Sequence, residues 1–388
     1  MKIPIAKTEF TEQDLISVQQ VLESGWVVQG PVVKEFEDIW CKFTGSPYSV
    51  AVSSCTTALH LALLAAGVKR GDEVILPSFT WIATVNAVEY VGAKPVFCDI
   101  DITTYNIDVS KINNLITANT KAIIPVHLFG LAAEMKSILE ISKKHGLKVI
   151  EDSACGFGAF YKNVHTGNFG DFGCFSFHPR KAITTGEGGM LTVNKPEIAD
   201  LLRSLRDHGA SASDLQRHEG NKPYLLPEFK HLGYNYRMTD IQASLGLSQM
   251  QRADSICRRR REIADIYSEL LKGIDWLILP SCGKDLKHGF QSYVCLFKPE
   301  VQTEMNILDI NKKRNEFMEY LSGNGISTRP GTHAVHTLEY YRKKYKLEKT
   351  KFMNSYIADC CTVTLPLYQS IKTEEIEFIT NKIKEYKF

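Results

Sequence analysis

The stretch Gly170-Asp171-Phe172-Gly173-Cys174-Phe175-Ser176-Phe177-His178-Pro179-Arg180-Lys181-Ala182-Ile183-Thr184-Thr185-Gly186-Glu187-Gly188-Gly189-Met190 organises this chain. It reads as a strand, a turn holding one lysine, a glycine cluster and a second strand, Met190 to Val193. Glycine lets backbone approach a ligand closely. A lysine in a shielded pocket loses proton affinity and serves as nucleophile and base. Two strands feeding one lysine into a glycine-rich turn therefore suggest a covalent amine site. A lysine in a turn is ordinarily just a solvated charge, so the reading rests on what the rest of the chain brings to it.

Working outward, the preceding segments alternate between strand and helix. Short apolar strands are expected at Tyr48 to Ser53, Glu73 to Pro77, Pro95 to Asp99, Ala122 to Val126 and Leu147 to Asp152. Helices fall between them, for example Ser54 to Leu63 and Met135 to His145. A loop and helix containing Trp81 run from Ser78 to Tyr90. This alternation implies an α/β fold with a mostly parallel sheet covered on both faces. In such sheets ligands sit beyond the carboxyl ends of the strands. Thr56, Trp81, Asp152 and Lys181 all fall near such ends, so they are expected to converge. Ser54-Cys55-Thr56-Thr57 opens a helix, where unpaired amides and the helix dipole suit a phosphate. The plainer alternative there is N-capping by Ser or Thr.

The flanks are simpler. Thr11-Glu12-Gln13-Asp14 is a capping-box start to a helix reaching about Ser24. A second helix is expected from Val33 to Phe43, after the glycine-rich loop Gly25 to Gly30. Gly233 to Asp240 precedes what reads as one long helix, from Ile241 through the basic run Arg258 to Arg261. That run is read as a solvated helix face. From about Asp265 strands (Ser292 to Phe297) and helices (Lys312 to Gly323, Thr373 to Tyr386) suggest a smaller α+β domain.

At 388 residues the chain is long enough for two or three domains. A net charge of +2 gives no electrostatic case for nucleic acid or an anionic membrane as partner. Met1 to Lys7 lacks the apolar run of a signal peptide, and no segment suits a bilayer span, so a cytoplasmic location is expected. The ten cysteines form no Cys-x-x-Cys pair and no zinc-like spacing, so no metal site is expected and the thiols are read as reduced.

Pyridoxal phosphate (PLP) needs a lysine to bond, an acid facing the ring nitrogen, an aromatic ring on one face, an anion cradle and exclusion of water. Lys181, Asp152, Trp81, and Thr56 with Ser176 supply the first four in order. That order and wording resemble the DegT/StrS family of PLP-dependent nucleotide-sugar aminotransferases. The resemblance is carried by Gly71-Asp72-Glu73-Val74-Ile75-Leu76-Pro77-Ser78-Phe79-Thr80-Trp81, by Val149-Ile150-Glu151-Asp152, by Phe175 to Lys181 with Thr184 to Gly189, and by Leu232-Gly233-Tyr234-Asn235-Tyr236-Arg237-Met238.

The resemblance implies the aspartate aminotransferase-like fold (fold type I PLP enzymes). Its large domain has a mostly parallel seven-stranded sheet and its C-terminal domain is a smaller α+β unit. The implied division is an N-terminal arm and active-site loop over 1–30, a PLP-binding domain over 31–255 and the small domain over 256–388. A homodimer with shared active sites is also implied. Position by position, Lys181 is the Schiff-base lysine and Asp152 the pyridinium partner, the two catalytic groups. Cys55, Thr56, Trp81, Ser176 and Asn235 join them as cofactor contacts, Asn235 reaching the neighbouring subunit's phosphate. Gly25 to Gly30 borders the sugar site, and Arg237, Arg329 and His333 are candidate substrate contacts. Arg237 and His333 also have structural readings, as an ion-pair partner and a loop histidine.

Two positions depart from the family. Cys55 stands where glycine usually precedes the phosphate-binding threonine, so its side chain must point away from the phosphate or crowd it. Cys155 stands where glutamine often lies near the ring hydroxyl. Relatives that dehydrate sugars carry histidine at the lysine position; Lys181 favours amino transfer. The implied reaction is a ping-pong transfer. L-Glutamate leaves its amino group as pyridoxamine phosphate, 2-oxoglutarate departs, and a nucleotide-linked keto sugar, an NDP-4-keto-6-deoxyhexose, takes the amine for amino-sugar biosynthesis such as that of O-antigen glycans. The alternatives are amination at carbon 3 or of a cyclic polyol ketone (an inosose). A PLP-binding regulator without turnover is disfavoured by the lack of a helix-turn-helix or basic DNA-binding segment.

Overall fold

A computed structural model describes residues 2–212, 224 and 226–387. Seven strands build the main sheet: β1 (Tyr48–Val52), β2 (Glu73–Pro77), β3 (Lys94–Cys98), β4 (Thr120–Ile123), β5 (Lys148–Asp152), β6 (Phe172–Ser176) and β7 (Gly189–Val193). Their spatial order is β1-β7-β6-β5-β4-β2-β3. Strand β7 runs antiparallel to both its neighbours, and the other pairings are parallel. The mostly parallel seven-stranded sheet expected from the sequence is therefore present. Strands β2 and β7 are buried along their whole length, which is why they read as largely apolar runs.

Strand alternation assigns side chains to faces. Val74 of β2 and Ile150 of β5 pack with α3 (Cys55–Ala65), α4 (Ile82–Tyr90) and, further along, α6 (Pro196–Arg206). Ile75 and Val149, one residue out of phase, pack instead with α5 (Met135–His145). Phe36 and Trp40 of α2 (Pro31–Thr44) meet Phe175 and Met190 of the sheet. The helix α1 (Glu12–Ser24) has the expected Thr11–Asp14 capping box.

The expected strand Ala122 to Val126 ends early, at Ile123. Pro125 lacks the N–H a ladder needs, and the backbone leaves the strand before it. Its carbonyl still accepts from Asp152 N at 2.9 Å, and Val126 bridges to Asp152.

The long helix expected from Ile241 through Arg261 is two helices, α7 (Asp240–Met250) and α8 (Ala253–Leu270). Arg252 leaves the helical region at φ −118°, ψ 19°. There its guanidinium forks onto the buried Asp14, at 3.0 and 2.6 Å. Nor is the basic run all solvated. Arg260 is buried and donates to the carbonyls of Phe290 (2.8 Å) and Gln291 (2.6 Å). The Gln291 amide in turn donates to Arg180 O at 3.0 Å, tying this loop to the lysine turn.

Three further strands, β8 (Leu277–Ile278), β9 (Tyr293–Phe297) and β10 (Thr362–Leu365), form an antiparallel sheet. It packs against α9 (Ile307–Gly323), α10 (Met353–Cys361) and α11 (Thr373–Glu385). Ile3 joins this second core and bridges to Ile326. Helix α8 spans both cores: Ala253 and Ile256 pack with α2, and Ile263 and Tyr267 pack with β9. The division expected between 255 and 256 falls inside this helix. All ten cysteines are free. Among the described residues no helix is long and apolar enough to cross a membrane.

Candidate active site

A cleft of about 330 Å³ opens at the carboxyl ends of the strands. Thr56, Trp81, Asp152, Ser176 and Lys181 all line it, with Cys55 and Arg329. The size suits a cofactor-sized ligand, and the convergence follows from topology. Asp152 is the last residue of β5 and Ser176 the last of β6, while Ser54 to Thr57 follow β1.

The two acids that end β5 point to opposite faces and do different work. Glu151 is fully buried and accepts from His127 Nε2 (2.8 Å) and from the amides of Gly167, Phe169 and Gly170 (2.7 Å each). It shapes the turn that launches β6. Asp152, 4% exposed, faces the cleft. Its Oδ2 accepts from Thr84 Oγ1 at 2.6 Å and its Oδ1 from Ala154 N at 3.1 Å. No lysine, arginine or histidine among the described residues pairs with it. Burying a carboxylate without a cation is costly, and the side of Asp152 that faces the cleft is open to a donor. A protonated pyridine nitrogen fits this carboxylate in its chemistry.

The opening of α3 answers both sequence readings at once. Ser54 is the N-cap and Thr57 completes the capping box, so those two hydroxyls are spent on the helix. Thr56 takes no part in the box. The helix's first amides have no partner inside the helix, as at every α-helix start. An anion placed there meets them together with Thr56 and the nearby Ser176. Gly189 makes this geometry possible: a Cβ there would fall 2.4 Å from Ser54 C and 2.6 Å from Cys55 N. Cys55 itself is buried in the core below α3, and burial pushes its thiol well above the ordinary range. Its side chain thus belongs to the packing under the helix start.

Lys181 comes from the turn after β6, with its backbone N donating to His178 O at 2.8 Å. Its Nζ lies 3.3 Å from Cys155 Sγ. Trp81 is the N-cap residue of α4 rather than part of the helix, and as a residue it is 54% exposed beside the cleft. That is a large apolar face left for a planar ligand.

The remaining expected residues lie elsewhere. Asn235 is exposed, bridges to Asp207 and does not line this chain's cleft. Arg237 is half-buried and bonds to Asp207 at 2.6 Å, the ion-pair alternative weighed from the sequence. His333 is exposed, pairs its backbone with Thr80 and sits 5.9 Å, ring to ring, from Trp81. In the Gly25 to Gly30 loop, Gly30 N donates to Asp240 Oδ1 at 2.8 Å, and a Cβ at Gly30 would collide with Trp26. Asp240 also accepts from Val32 and Val33, anchoring the start of α2.

Arg329 does line the cleft, and among the described residues no carboxylate pairs with it. Its Nε is buried with no hydrogen-bond partner, and burial, with the nearby Arg180, pushes its guanidinium below the usual range. Sequence reading missed Thr84, Arg180 and His178 as cleft residues. Arg180 and His178 stand beside Lys181 in the opening stretch, so the signal was present; Thr84, inside an apolar helix, gave none.

The sequence pattern of the DegT/DnrJ/EryC1/StrS aminotransferase family matches residues 8–384. GDP-perosamine synthase of Escherichia coli O157:H7 is 37% identical over 385 residues, covering 99% of this chain and 98% of that protein. The spore coat polysaccharide biosynthesis protein SpsC of Bacillus subtilis is 36% identical over 385 residues, covering 99% and 96%. Among solved structures, the PLP form of Spr1654 from Streptococcus pneumoniae superposes with a TM-score of 0.90 at 29% identity, covering 99% and 98%.

Proposed function

The chain belongs to the DegT/DnrJ/EryC1/StrS aminotransferase family, and from that premise we propose that it moves the amino group of L-glutamate onto an NDP-4-keto-6-deoxyhexose. It is a PLP-dependent sugar aminotransferase of the aspartate aminotransferase-like fold. The finer reading draws support from its likeness to a GDP-perosamine synthase, whose product is an amine carried on a nucleoside diphosphate. The observation that carries the PLP chemistry is a cleft lined by both Lys181 and a buried Asp152 that has no cation partner among the described residues.

When bound, PLP supplies an aldehyde that carries the amino group and a protonated ring that withdraws electrons from the carbon losing a proton. The chain's residues do the rest. Lys181 Nζ would hold the cofactor through its aldehyde and, as a free amine, would move the proton at the donor's α-carbon. Asp152 holds the ring N–H, kept in place by Thr84 and Ala154. Thr56, Ser176 and the α3 amides hold the phosphate, and Trp81 covers one ring face. Arg329, the unpaired guanidinium in the cleft, takes the donor's carboxylate. Arg180, exposed at the rim, and His333 beside Trp81 face the nucleotide sugar. Asn235, outside its own cleft, serves the phosphate of a second copy in a homodimer. Arg237, tied to Asp207, supports that segment instead of binding substrate. We place the reaction in the cytoplasm, where nucleotide sugars are made and used.

The test is a panel of nucleotide-linked keto sugars and an inosose with L-glutamate, read by mass spectrometry. Amination of the 4-keto-6-deoxy sugar is expected; amination only of the inosose or of a 3-keto sugar overturns the reading. Lys181→Ala is expected to lose all turnover and the absorbance of lysine-bound PLP. Turnover retained in that variant refutes the assignment of Lys181.

A further inference from the structure

The lysine turn sets an amine against a sulfur. Lys181 Nζ lies 3.3 Å from Cys155 Sγ. Both line the open cleft, so a small solute that enters it reaches the pair. Cys155 sits in the tight turn after β5, where Gly156 N donates to Ser153 O at 2.7 Å, so the sulfur is held while the lysine moves on a flexible stem. A thiol is a weak hydrogen-bond partner. It does have a chemistry that an amide at this position would lack: oxidised sulfur is an electrophile, and the nearest nucleophile is the lysine amine.

We propose that Cys155 and Lys181 are a peroxide-sensitive covalent latch, closing as an S–N bond whenever Lys181 is not bonded to cofactor. In the first step the Cys155 sulfur attacks hydrogen peroxide; the O–O bond breaks, the sulfur takes one oxygen as a sulfenic acid and the other oxygen leaves as water. In the second, Lys181 Nζ attacks that sulfur, an S–N bond forms, and the sulfenic oxygen departs as water with a proton from the amine. Thiol, amine and one peroxide thus give the sulfenamide and two waters, the sulfur losing the two electrons that the peroxide gains. Two equivalents of an external thiol reverse it, opening the S–N bond and then the mixed disulfide.

The other cysteines do not offer this chemistry. Seven of the ten are buried, and burial pushes the thiols of the partly exposed Cys41 and the exposed Cys282 upward, away from the reactive thiolate. Among the described residues, Cys155 is the cysteine with an amine at hydrogen-bond distance. The effect on turnover rests on Lys181 being the cofactor lysine, as proposed above; the bond itself does not. The latch would shut the enzyme in its amine-loaded and cofactor-free forms and spare the form in which Lys181 is engaged.

The test treats the full-length chain with hydrogen peroxide, before and after saturation with PLP, and maps peptides by tandem mass spectrometry. Expected without PLP is a Cys155 peptide joined to a Lys181 peptide, lighter than their sum by two hydrogen atoms. Dithiothreitol should separate them and restore PLP uptake, read by absorbance. Cys155→Ser should abolish the joined peptide and Cys282→Ser should keep it. Oxidation of Cys155 to sulfinic acid with no joined peptide in either form overturns the latch. A joined peptide formed equally with and without PLP upholds the bond and overturns the assignment of Lys181 to the cofactor.

Discussion

Thr84→Val isolates the support of the buried acid. The two side chains have nearly the same shape, so packing in α4 is kept and one hydroxyl is lost. That hydroxyl donates to Asp152 Oδ2 at 2.6 Å, one of the two hydrogen bonds the carboxylate accepts among the described residues. A hydrogen bond to a charged, buried group is worth about 1.5–3 kcal/mol. At about 1.4 kcal/mol per factor of ten, this bounds the combined loss in PLP affinity and kcat at about 10- to 150-fold. Thr84 is not assigned to the donor, so the KM for L-glutamate should stay within about twofold of wild type. PLP titration by absorbance, followed by steady-state kinetics at saturating PLP, separates the two components. Thr84→Ser, which restores the hydroxyl, should recover most of the loss. A combined loss below threefold for Thr84→Val, or a serine variant as impaired as the valine one, would refute the claim that Thr84 positions Asp152.

Arg329→Gln removes an unpaired guanidinium from the cleft, so the KM for L-glutamate should rise about 10- to 100-fold while kcat moves far less. Steady-state kinetics showing a weakened keto sugar and an unchanged donor would assign it to the nucleotide instead. Gly189→Ala puts a carbon against the backbone of Ser54 and Cys55, which should push back the start of α3 and weaken PLP binding with Lys181 and Asp152 intact. A PLP titration matching wild type would show that this close approach does not shape the phosphate site. Burial holds His165 down to about 4 and His288 to about 3. Each stays neutral in the fold, with Gly158 N donating to His165 Nε2 and Phe290 N to His288 Nδ1. The unfolded chain takes up those protons first, so stability is full above about pH 6.5 and falls as pH drops toward the folded values. At pH 5 each histidine should cost about 2 kcal/mol. Thermal unfolding that is flat between pH 6.5 and 5 would contradict this.

What the sequence showed and hid divides along physical lines. The sheet was legible because its central strands are largely buried on both faces, leaving runs such as Val74 to Leu76 with nothing but core to enter. The cleft was legible because parallel strands deliver their carboxyl ends to one side, so Asp152 and Ser176 had to be neighbours. Arg260 was not legible. Its place in a run of four arginines looks solvated, and only the carbonyls of Phe290 and Gln291, some thirty residues on, give it a buried role. The break at Arg252 was hidden for a related reason, since no local residue stops the helix there and the partner Asp14 is remote in sequence.

The two acids at the end of β5 show where local pattern stops and tertiary context begins. Alternation alone sends Glu151 and Asp152 to opposite faces, and nothing in the strand says which acid meets a ligand. The surroundings decide it. Glu151 is saturated by three amides and His127, so it has no capacity left for a substrate. Asp152 has two donors and an open side. A buried carboxylate with one side toward a cleft is well suited to a positive donor, and among the described residues Arg329 Nε shows the same incompleteness with the opposite sign. The pair of unmet charges, one of each sign in one cleft, is what makes this site fit a zwitterionic amino donor on a protonated ring.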